Sequence, residues 1–361
     1  MKRKYIVALF LFVLFCAGVL LFAVFQRNAG IRFAQKMGAG INLGNSLDVK
    51  KVKDHNPEAD IEYFQTYWGN PLTTKEMIDA IAQKGFGTIR IPVSWGEHMD
   101  ESGNVDKEWM SRVEEVVDWS LEAGMYVILD THHEEWLMPT PEQEEKVTKK
   151  LCALWTQIAD TFADRGENLL FEGMNEPRVR DSDEEWEGGS EETKQVVNRL
   201  NAAFVRTVRE AGGENENRWL LIAPYGNSYE EHALMDLEIP DDKRIMVAVH
   251  AYIPYSFTLD EDGEQEFDLD DSEKCKKITD VMERLEQIFI KKGIPVIITE
   301  YGCNEKEDDE ERRKWTAFYL EHAEAAHIPC IWWDNGSDSQ IFDREKRSWP
   351  WEELTDIILQ E

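Results

Sequence analysis

Basic residues are scarce in this sequence. Its 361 residues include 40 Lys or Arg against 72 Asp or Glu, which gives a formal net charge of −32 at pH 7. A surface that binds nucleic acid needs a basic footprint to neutralise phosphates. The charge balance therefore argues against a nucleic-acid partner and against phosphate-bearing ligands, and it favours a neutral or cationic partner.

Cysteines are few and scattered. The chain has five, and Cys16 falls within a hydrophobic run near the amino terminus. The other four, Cys152, Cys275, Cys303 and Cys330, show no C-x-x-C spacing, which excludes a disulfide framework in a chain of this length. We expect free, mostly buried thiols, and one bridge among them stays open as an alternative.

A single hydrophobic run is long enough to cross a membrane. It extends from Tyr5 to Phe25, which is 21 residues, and it follows three basic residues at positions 2–4. No small-residue cleavage site follows the run. We therefore expect residues 1–29 to form an uncleaved signal anchor that places the remaining chain on the extracellular face of the membrane. A cleaved signal peptide, with secretion of the protein, is the alternative.

The sequence also lacks a Gly-rich phosphate turn after its first predicted strand. Across residues 30–361, short runs that are apolar on both faces alternate with amphipathic stretches, as is typical of a parallel sheet covered on both sides. Eight such alternations favour one α/β domain, a (β/α)8 TIM barrel, over a doubly wound sheet. The predicted strands are Gly38–Leu43, Gly87–Pro92, Met125–Asp130, Asn168–Asn175, Trp219–Pro224, Ile245–Tyr252, Pro295–Tyr301 and Cys330–Asp334.

Polar or aromatic side chains stand where these runs end. The carboxyl ends of barrel strands form the face that carries functional groups, so these side chains are the candidate site. The fifth run contributes least, with only Tyr225 and Asn227 beyond it. The candidates on the other runs are Asn42, Arg90, His132, His133, Asn175, Glu176, His250, Tyr252, Glu300, Trp332 and Trp333.

Two of these candidates are glutamates, Glu176 and Glu300, and packing gives no reason for a carboxylate at the end of an apolar run. Cleavage of a glycosidic bond requires an acid that protonates the leaving oxygen and a second carboxylate that attacks the anomeric carbon or activates water. The pair therefore indicates a two-carboxylate hydrolase. Arg90 is placed to keep one glutamate ionised while the other stays protonated at rest. Pro177 is expected to hold Glu176 in an extended conformation.

Strand geometry constrains the neighbouring candidates. In a regular strand Asn175 and Glu176 face opposite ways, so both enter the site only if the strand end is irregular. The same alternation makes the adjacent His132 and His133 a poor chelate, and we expect no metal site there. The acidic runs at 181–192, 258–273 and 305–311 are predicted to be solvated loops.

Two further candidates share one strand face. His250 and Tyr252 are two residues apart, and contact with substrate and simple hydrogen bonding at the barrel rim are both open for them. Trp333, at the last strand end, is well placed to stack on a sugar ring.

Eight phrases of the sequence resemble glycoside hydrolase family 5, and more narrowly its branch of bacterial endo-β-1,4-glucanases and xyloglucanases. The phrases occur in order over nearly the whole chain after residue 30. They are GINLGNSLD (40–48), YWGNPLTT (67–74), GTIRIPVSW (87–95), HHEEW (132–136), FEGMNEPR (171–178), VHAY (249–252), ITEYG (298–302) and WWDNG (332–336). The resemblance implies a (β/α)8 barrel, net retention of anomeric configuration, and no metal or organic cofactor.

The resemblance also implies roles for individual residues. Glu176 corresponds to the acid/base and Glu300 to the nucleophile. The residues implied to bind substrate are Arg90, His132, Asn175, His250, Tyr252 and Trp333, followed by Asn42, His133 and Trp136.

The implied activity is hydrolysis of β-1,4-glucosidic bonds in cellulose-like or hemicellulosic β-glucans by an endo-acting enzyme, which we expect to be a monomer. Cellulose, xyloglucan, mixed-linkage glucan and glucomannan all stay open, because loop geometry decides among them. Two other classes are alternatives, a non-catalytic surface glycan-binding protein on a barrel scaffold and a metal-dependent barrel hydrolase. The two glutamates with Arg90 argue against the first, and the lack of an H-x-H strand signature argues against the second.

Overall fold

A closed barrel of eight parallel strands forms the centre of the protein in a computed structural model that describes residues 28–360. The strands pair in chain order, and the last strand pairs with the first, which closes the sheet. The predicted (β/α)8 barrel is thereby confirmed. The strands are β1 Gly40–Leu43, β2 Thr88–Ile91, β3 Tyr126–Asp130, β4 Leu169–Glu172, β5 Leu220–Ile222, β6 Ile245–His250, β7 Val296–Tyr301 and β8 Cys330–Asp334.

Helices connect the strands and cover the outside of the barrel. Within residues 28–360 no helix is both long and apolar enough to cross a bilayer. The predicted signal anchor, residues 1–29, lies outside the described residues except for its last two positions. The helices are α1 Ala29–Lys36, α2 Ile61–Thr66, α3 Lys75–Lys84, α4 Lys107–Glu122, α5 Glu144–Thr161, α6 Glu191–Glu210, α7 Glu231–Met235, α8 Tyr255–Thr258, α9 Ser272–Ile288, α10 Asp309–Ala325 and α11 Glu352–Leu359.

Strand side chains alternate between two apolar clusters. In β3, for example, Val127 and Leu129 belong to the outer cluster under the helices, whereas Ile128 between them belongs to the cluster that fills the barrel. The inner cluster also includes Ala34 of α1 and Met37, the residue that follows this helix. Because both faces of each strand are buried, the strands read as continuous apolar runs.

A polar layer lies on the inner apolar cluster, toward the carboxyl ends of the strands. Arg90, Asp130 and Glu172 occupy inward positions of β2, β3 and β4, and all three side chains are fully buried. Asn42 of β1 completes the layer. Charged groups this deep in a barrel are stable only when they are paired, which is how the layer is built.

The fourth strand is shorter than the sequence predicts. It ends at Glu172 and not at Asn175. The next residue is Gly173, where an added Cβ would meet the ring of Phe204 at 2.6 Å. Glu176 therefore does not close the strand but lies in the loop that follows it.

An irregularity in β7 directs the second glutamate. The register of β7 against both of its neighbours shifts between Ile298 and Tyr301. Strict alternation after Ile298 would send Thr299 inward and Glu300 outward. With the shift, Glu300 reaches the polar layer and Tyr301 packs in the outer cluster. Bulges commonly re-aim a side chain beside a functional site.

The four cysteines within the described residues carry free thiols, as expected. Cys303 and Cys330 are buried, whereas Cys152 and Cys275 are half-buried. No bridge joins them in the described part of the chain.

Candidate active site

Glu300 is held by three side chains at the bottom of a cleft in the carboxyl face of the barrel. Arg90 Nη1 donates to its Oε1 at 2.7 Å, and the Tyr252 hydroxyl donates to its Oε2 at 2.8 Å. His250 Nδ1 lies 3.5 Å from the same Oε2. The expectation that Arg90 pairs with one of the two glutamates is confirmed.

Arg90 is the hub of the polar layer beneath the cleft. Its guanidinium is fully buried and makes ion pairs at 2.7 Å with Asp130 and with Glu172 in addition to Glu300. It also donates to the amide oxygens of Asn42 at 3.0 Å and of Asn175 at 2.8 Å.

Two residues predicted to bind substrate therefore lie below the surface of the cleft. Arg90 has no exposed surface, and Asn42 is 1% exposed. The amide nitrogen of Asn42 donates to the carbonyl oxygens of Thr299 and Trp332, at 3.0 and 3.1 Å. Arg90 bonds Glu300 directly and Asn42 bonds Arg90, so both support Glu300 from beneath, and their contact with substrate stays a prediction.

One cation facing three acids perturbs the titration of the polar layer. Burial alone would lower the pKa of Arg90, but the charges of Glu172, Asp130 and Glu300 outweigh burial and raise it. Burial raises the pKa of Asp130 to about 6 despite the neighbouring guanidinium, and it also raises the pKa of Glu172. The two deep acids therefore bind protons more readily than ordinary carboxyl groups.

Glu176 reaches the cleft from a strained loop. Its φ is +45°, a left-handed conformation, so the prediction that Pro177 holds it extended is wrong. The backbone after β4 is irregular, which meets the condition for Asn175 and Glu176 both to reach the site. The Glu176 N–H donates to Asn227 Oδ1 at 2.7 Å, so the loop after β5 contributes more than the sequence indicates.

His250 and Arg178 set the charge of Glu176. His250 Nδ1 lies 3.0 Å from one carboxylate oxygen, and Arg178 Nη1 lies 2.9 Å from the other. Burial raises the pKa of Glu176, but the hydrogen bond and charge of His250, together with Arg178, lower it to about 2. The pKa of His250 is raised by Glu300 and Glu176 against the effect of burial. These opposite pKa shifts favour an ionised Glu176 beside a protonated His250, which differs from the expectation of a glutamate that rests protonated.

Asn175 and His132 form a second chain of contacts beside the glutamates. His132 Nδ1 donates to Asp130 Oδ2 at 2.8 Å, and its Nε2 lies 3.5 Å from Asn175 Nδ2. Burial, and then the charge of Arg90, lower the pKa of His132 to about 3, so this ring is neutral. Asp130 thereby fixes which ring nitrogen of His132 carries the proton.

Aromatic rings make one wall of the cleft. The half-buried Trp333 lies parallel to His132, with ring centroids 5.7 Å apart and an angle of 5° between the planes. His133 contacts His132 edge to face at 4.4 Å, and Trp68 lies 5.8 Å from His133. Trp68 belongs to the phrase YWGNPLTT (67–74), but it was not among the residues predicted to bind substrate.

The side chain of Trp136 contacts other residues of the protein and is not part of this aromatic wall. Its indole N–H donates to Glu134, and Lys150 lies over its ring, 4.8 Å from the centroid. Glu134 is buried and also accepts the Trp95 N–H at 2.6 Å. The only hydrogen-bond donor of the Trp136 side chain is thus already used within the protein.

The two glutamates lie close together. One oxygen of Glu176, one oxygen of Glu300 and a ring nitrogen of His250 all lie within 4.8 Å of one another. Potential ligand atoms of Asp48, His132 and His133 also lie within 4.8 Å of one another. The ring nitrogens of the two histidines, which follow β3, are therefore close together although a regular strand would send adjacent side chains to opposite faces. The absence of a metal cofactor stays a prediction.

Several residues that hold the site were missed in the sequence. They are Asp130, Glu172 and Arg178. Asp130 ends an apolar run, and Glu172 is a second carboxylate within the phrase FEGMNEPR, so both carried the signal that pointed to Glu176 and Glu300. No feature of spacing marked Arg178, because its role depends on how the loop after β4 folds.

The buried Glu134 gives the stability of the protein a pH dependence. Burial raises its pKa from 4.5 to about 7, so the folded protein keeps a proton that the unfolded chain releases. This contribution to stability is fully present below pH 4.5 and is lost as the pH rises toward 7. Glu134→Gln cannot ionise. The fall in unfolding free energy between about pH 5 and pH 7 should therefore shrink by about 1–3 kcal/mol.

Urea denaturation of both proteins at the two pH values measures this difference. Glu135→Gln is the matched control, since the side chain of Glu135 is 56% exposed. It should reproduce the wild-type slope. An unchanged slope in Glu134→Gln would contradict the assignment.

Comparison with known proteins places this geometry in a family. A model of the family described as "Cellulase (glycosyl hydrolase family 5)" matches residues 52–339. Endoglucanase A of Ruminococcus albus is 44% identical over 337 residues, which are 90% of either chain.

Solved structures agree with the sequence match. A broad-specificity endoglucanase from Ruminococcus champanellensis with bound cellotriose has a TM-score of 0.88 and 37% identity, covering 91% of this chain and 97% of that one. A xyloglucan-specific endo-β-1,4-glucanase from a metagenomic library, in complex with cellotriose, has a TM-score of 0.87 and 36% identity, covering 92% and 99%. The protein described here belongs to glycoside hydrolase family 5.

Proposed function

We propose that the protein is a retaining, endo-acting glycoside hydrolase that cleaves β-1,4-glucosidic bonds in β-glucans. The observation that carries the proposal is the separation of the two glutamates, whose nearest oxygens lie within 4.8 Å. Retaining enzymes hold their carboxyl groups about 5–5.5 Å apart, whereas inverting enzymes leave roughly 6.5–9.5 Å for a water molecule. The short separation supports direct attack by one carboxylate.

Glu300 is the nucleophile in this mechanism. Arg90 and Tyr252 each donate to one of its oxygens, which fixes the position of the carboxylate. Attack on the anomeric carbon forms a bond from that carbon to a Glu300 oxygen as the glycosidic bond breaks. The result is a glycosyl-enzyme intermediate.

Glu176 delivers the proton to the departing oxygen. The path for this proton is the 3.0 Å contact between His250 Nδ1 and Glu176, and the raised pKa of His250 favours the proton on the imidazole before substrate binds. Its transfer to Glu176 converts the ion pair into a neutral pair with a protonated carboxyl group. After the leaving group departs, Glu176 accepts a proton from water, and the water attacks the anomeric carbon and releases Glu300. Two displacements retain the configuration.

The names of the relatives support a β-1,4-glucan substrate. The two solved relatives bind cellotriose, and one of them is described as specific for xyloglucan. Because those two differ in specificity on one fold, the preferred glucan of this protein depends on its loops. Reducing-sugar release from cellulose, xyloglucan, mixed-linkage glucan and glucomannan identifies it.

We also propose that residues 1–29 anchor the enzyme, as a monomer, on the extracellular face of the membrane. The support is the 21-residue apolar run that follows basic residues. Fractionation of expressing cells should place the full-length protein in the membrane fraction, with the barrel accessible to protease added outside. Recovery in the medium with a new amino terminus near residue 29 would instead establish cleavage and secretion.

Substitution of either glutamate separates their roles. Glu176→Gln should lower kcat/KM on a β-glucan roughly 10²–10⁴-fold, but kcat/KM on dinitrophenyl β-cellobioside far less, because that leaving group needs no proton in the first step. Glu300→Gln should abolish turnover of both substrates, because neither bypasses the nucleophile. Glu135→Gln, at an exposed position outside the site, should retain wild-type turnover. Equal losses for both glutamate variants on both substrates would refute the assignment.

The stereochemistry of the first product tests the double displacement itself. Proton NMR during early hydrolysis of a cello-oligosaccharide should show the β-anomer before mutarotation. A 2-fluoro glycoside should label Glu300 covalently. An initial α-anomer would rule out the retaining scheme.

A further inference from the structure

Three side chains in the cleft are of the types that bind transition-metal ions. One carboxylate oxygen of Asp48 and one ring nitrogen each of His132 and His133 all lie within 4.8 Å of one another. Imidazole and carboxylate ligands lie about 2.0–2.2 Å from Zn²⁺, so ligand atoms around one ion are roughly 3–3.5 Å apart. A movement of about 1 Å therefore brings the three atoms onto one ion.

Asp48 is a buried carboxyl group without a cationic partner. It has no exposed surface, and its two oxygens accept the N–H groups of Asn45 at 3.0 Å and Ser46 at 2.7 Å. Within residues 28–360, no Lys, Arg or His forms an ion pair with it, and the nearby Asp130 adds negative charge. Buried carboxylates are normally paired with a cation or coordinate a metal ion. Each oxygen of Asp48 keeps a lone pair for such a bond.

Asp130 orients His132 as a ligand. His132 Nδ1 donates to Asp130 Oδ2 at 2.8 Å, so the lone pair of Nε2 points away from that acid. Histidines that bind metals usually donate their second ring N–H to a carboxylate or carbonyl group in this way, which fixes the ring. The other contact of Nε2 is Asn175 Nδ2 at 3.5 Å, a weak hydrogen bond that an ion can displace.

His133 adds a ligand that an ion can reach from the cleft. It is half-buried, and its ring contacts His132 edge to face. Its backbone N–H donates to Ser94 Oγ at 3.3 Å, whereas no group in the described part of the chain hydrogen-bonds its ring nitrogens. The ring can therefore turn toward Asp48 and His132 without losing a hydrogen bond.

The other group of potential ligands, formed by the two catalytic glutamates and His250, is less suited to an ion. Arg178 already pairs with Glu176, and Arg90 pairs with Glu300. His250 Nδ1 contacts both carboxylates, at 3.0 and 3.5 Å. Cationic side chains thus balance these two carboxylates, whereas none balances the buried aspartate of the first group.

We propose that Asp48, His132 and His133 bind one divalent transition-metal ion, such as Zn²⁺, and that this ion inhibits the enzyme reversibly. Two imidazoles and one carboxylate suit such ions better than Mg²⁺ or Ca²⁺, which prefer oxygen ligands alone. The argument from strand alternation against a metal site does not apply, because both histidines follow β3. The ion is an inhibitor and not a cofactor.

Inhibition follows from where the ligands lie. His132 and Trp333 form part of the wall of the cleft, and His133 packs against His132. Both histidines are predicted to bind substrate, so a bound ion and a glucan chain compete for the same side chains. The inhibitory effect rests on the proposed function, whereas binding of the ion does not.

Calorimetric titration of the full-length protein with Zn²⁺ tests the site without turnover, at about pH 7.5 so that the ligands can lose their protons. Wild-type protein should bind one ion per chain. Asp48→Asn and His133→Asn should each weaken binding more than roughly ten-fold, since even groups that only orient ligands contribute roughly 10–100-fold to metal affinity. His327→Asn is the matched control and should bind as wild type does, because His327 is exposed and precedes β8 at the opposite end of the barrel.

Inhibition of turnover is the second readout. With Zn²⁺ at about ten times its dissociation constant, kcat/KM of the wild type for dinitrophenyl β-cellobioside should fall roughly ten-fold, and a chelator should restore it. Mg²⁺ at the same concentration should have no effect. Each ligand variant should need more than roughly ten-fold more Zn²⁺ for the same fractional loss of its own activity.

Four outcomes decide the proposal. Absence of Zn²⁺ binding by the wild type, or undiminished binding in both ligand variants, would overturn the site. Binding without loss of turnover would overturn the inhibitory role. If circular dichroism shows that Asp48→Asn does not fold, His133→Asn alone decides. Absence of wild-type turnover without added metal would overturn the proposed function, and the titration would still decide the metal site.

Discussion

The buried guanidinium of Arg90 is the interaction on which the catalytic end of the barrel depends. It bonds groups from β1, β3, β4 and β7 and from the loop after β4. Removing charges from water costs several kcal/mol per ion, and only close pairing offsets this cost. With β2, which carries Arg90 itself, the pairing joins the carboxyl ends of five strands. It also fixes the position of Glu300 before substrate binds.

The same arrangement gives two chemically identical side chains different environments. Glu300 faces Arg90 and the Tyr252 hydroxyl, both fixed donors that stay with it. Glu176 faces His250, a donor that can give its proton away. His250 also lies 3.5 Å from Glu300, so a change of charge on either carboxylate is felt by the other through one imidazole. The separate roles follow from these neighbours and not from the glutamates themselves.

The barrel and the membership of the site could be predicted because they depend on patterns that the chain displays directly. Eight runs that are apolar on both faces predict buried strands, and the polar residues at their carboxyl ends indicate which end of the barrel carries the site. The exact local geometry could not be predicted. The left-handed backbone of Glu176 and the shifted register before Tyr301 arise from tertiary contacts. The residue types at these positions do not predict such contacts. The depth of each side chain below the cleft could not be predicted either. Arg90 and Asn42 were expected at the surface of the cleft, but they lie beneath it.

The first helix, α1, packs against the amino-terminal end of the barrel. Phe33 of α1 stacks on Trp219 at 5.2 Å, and Gly30 lies against Trp219 and Pro295, the residues that precede β5 and β7. The chain therefore enters the barrel at the end opposite to the cleft. The membrane anchoring proposed above for residues 1–29 would therefore attach the barrel at the end opposite to the cleft. Long polymers in the surrounding medium then reach the glutamates without passing between the protein and the membrane.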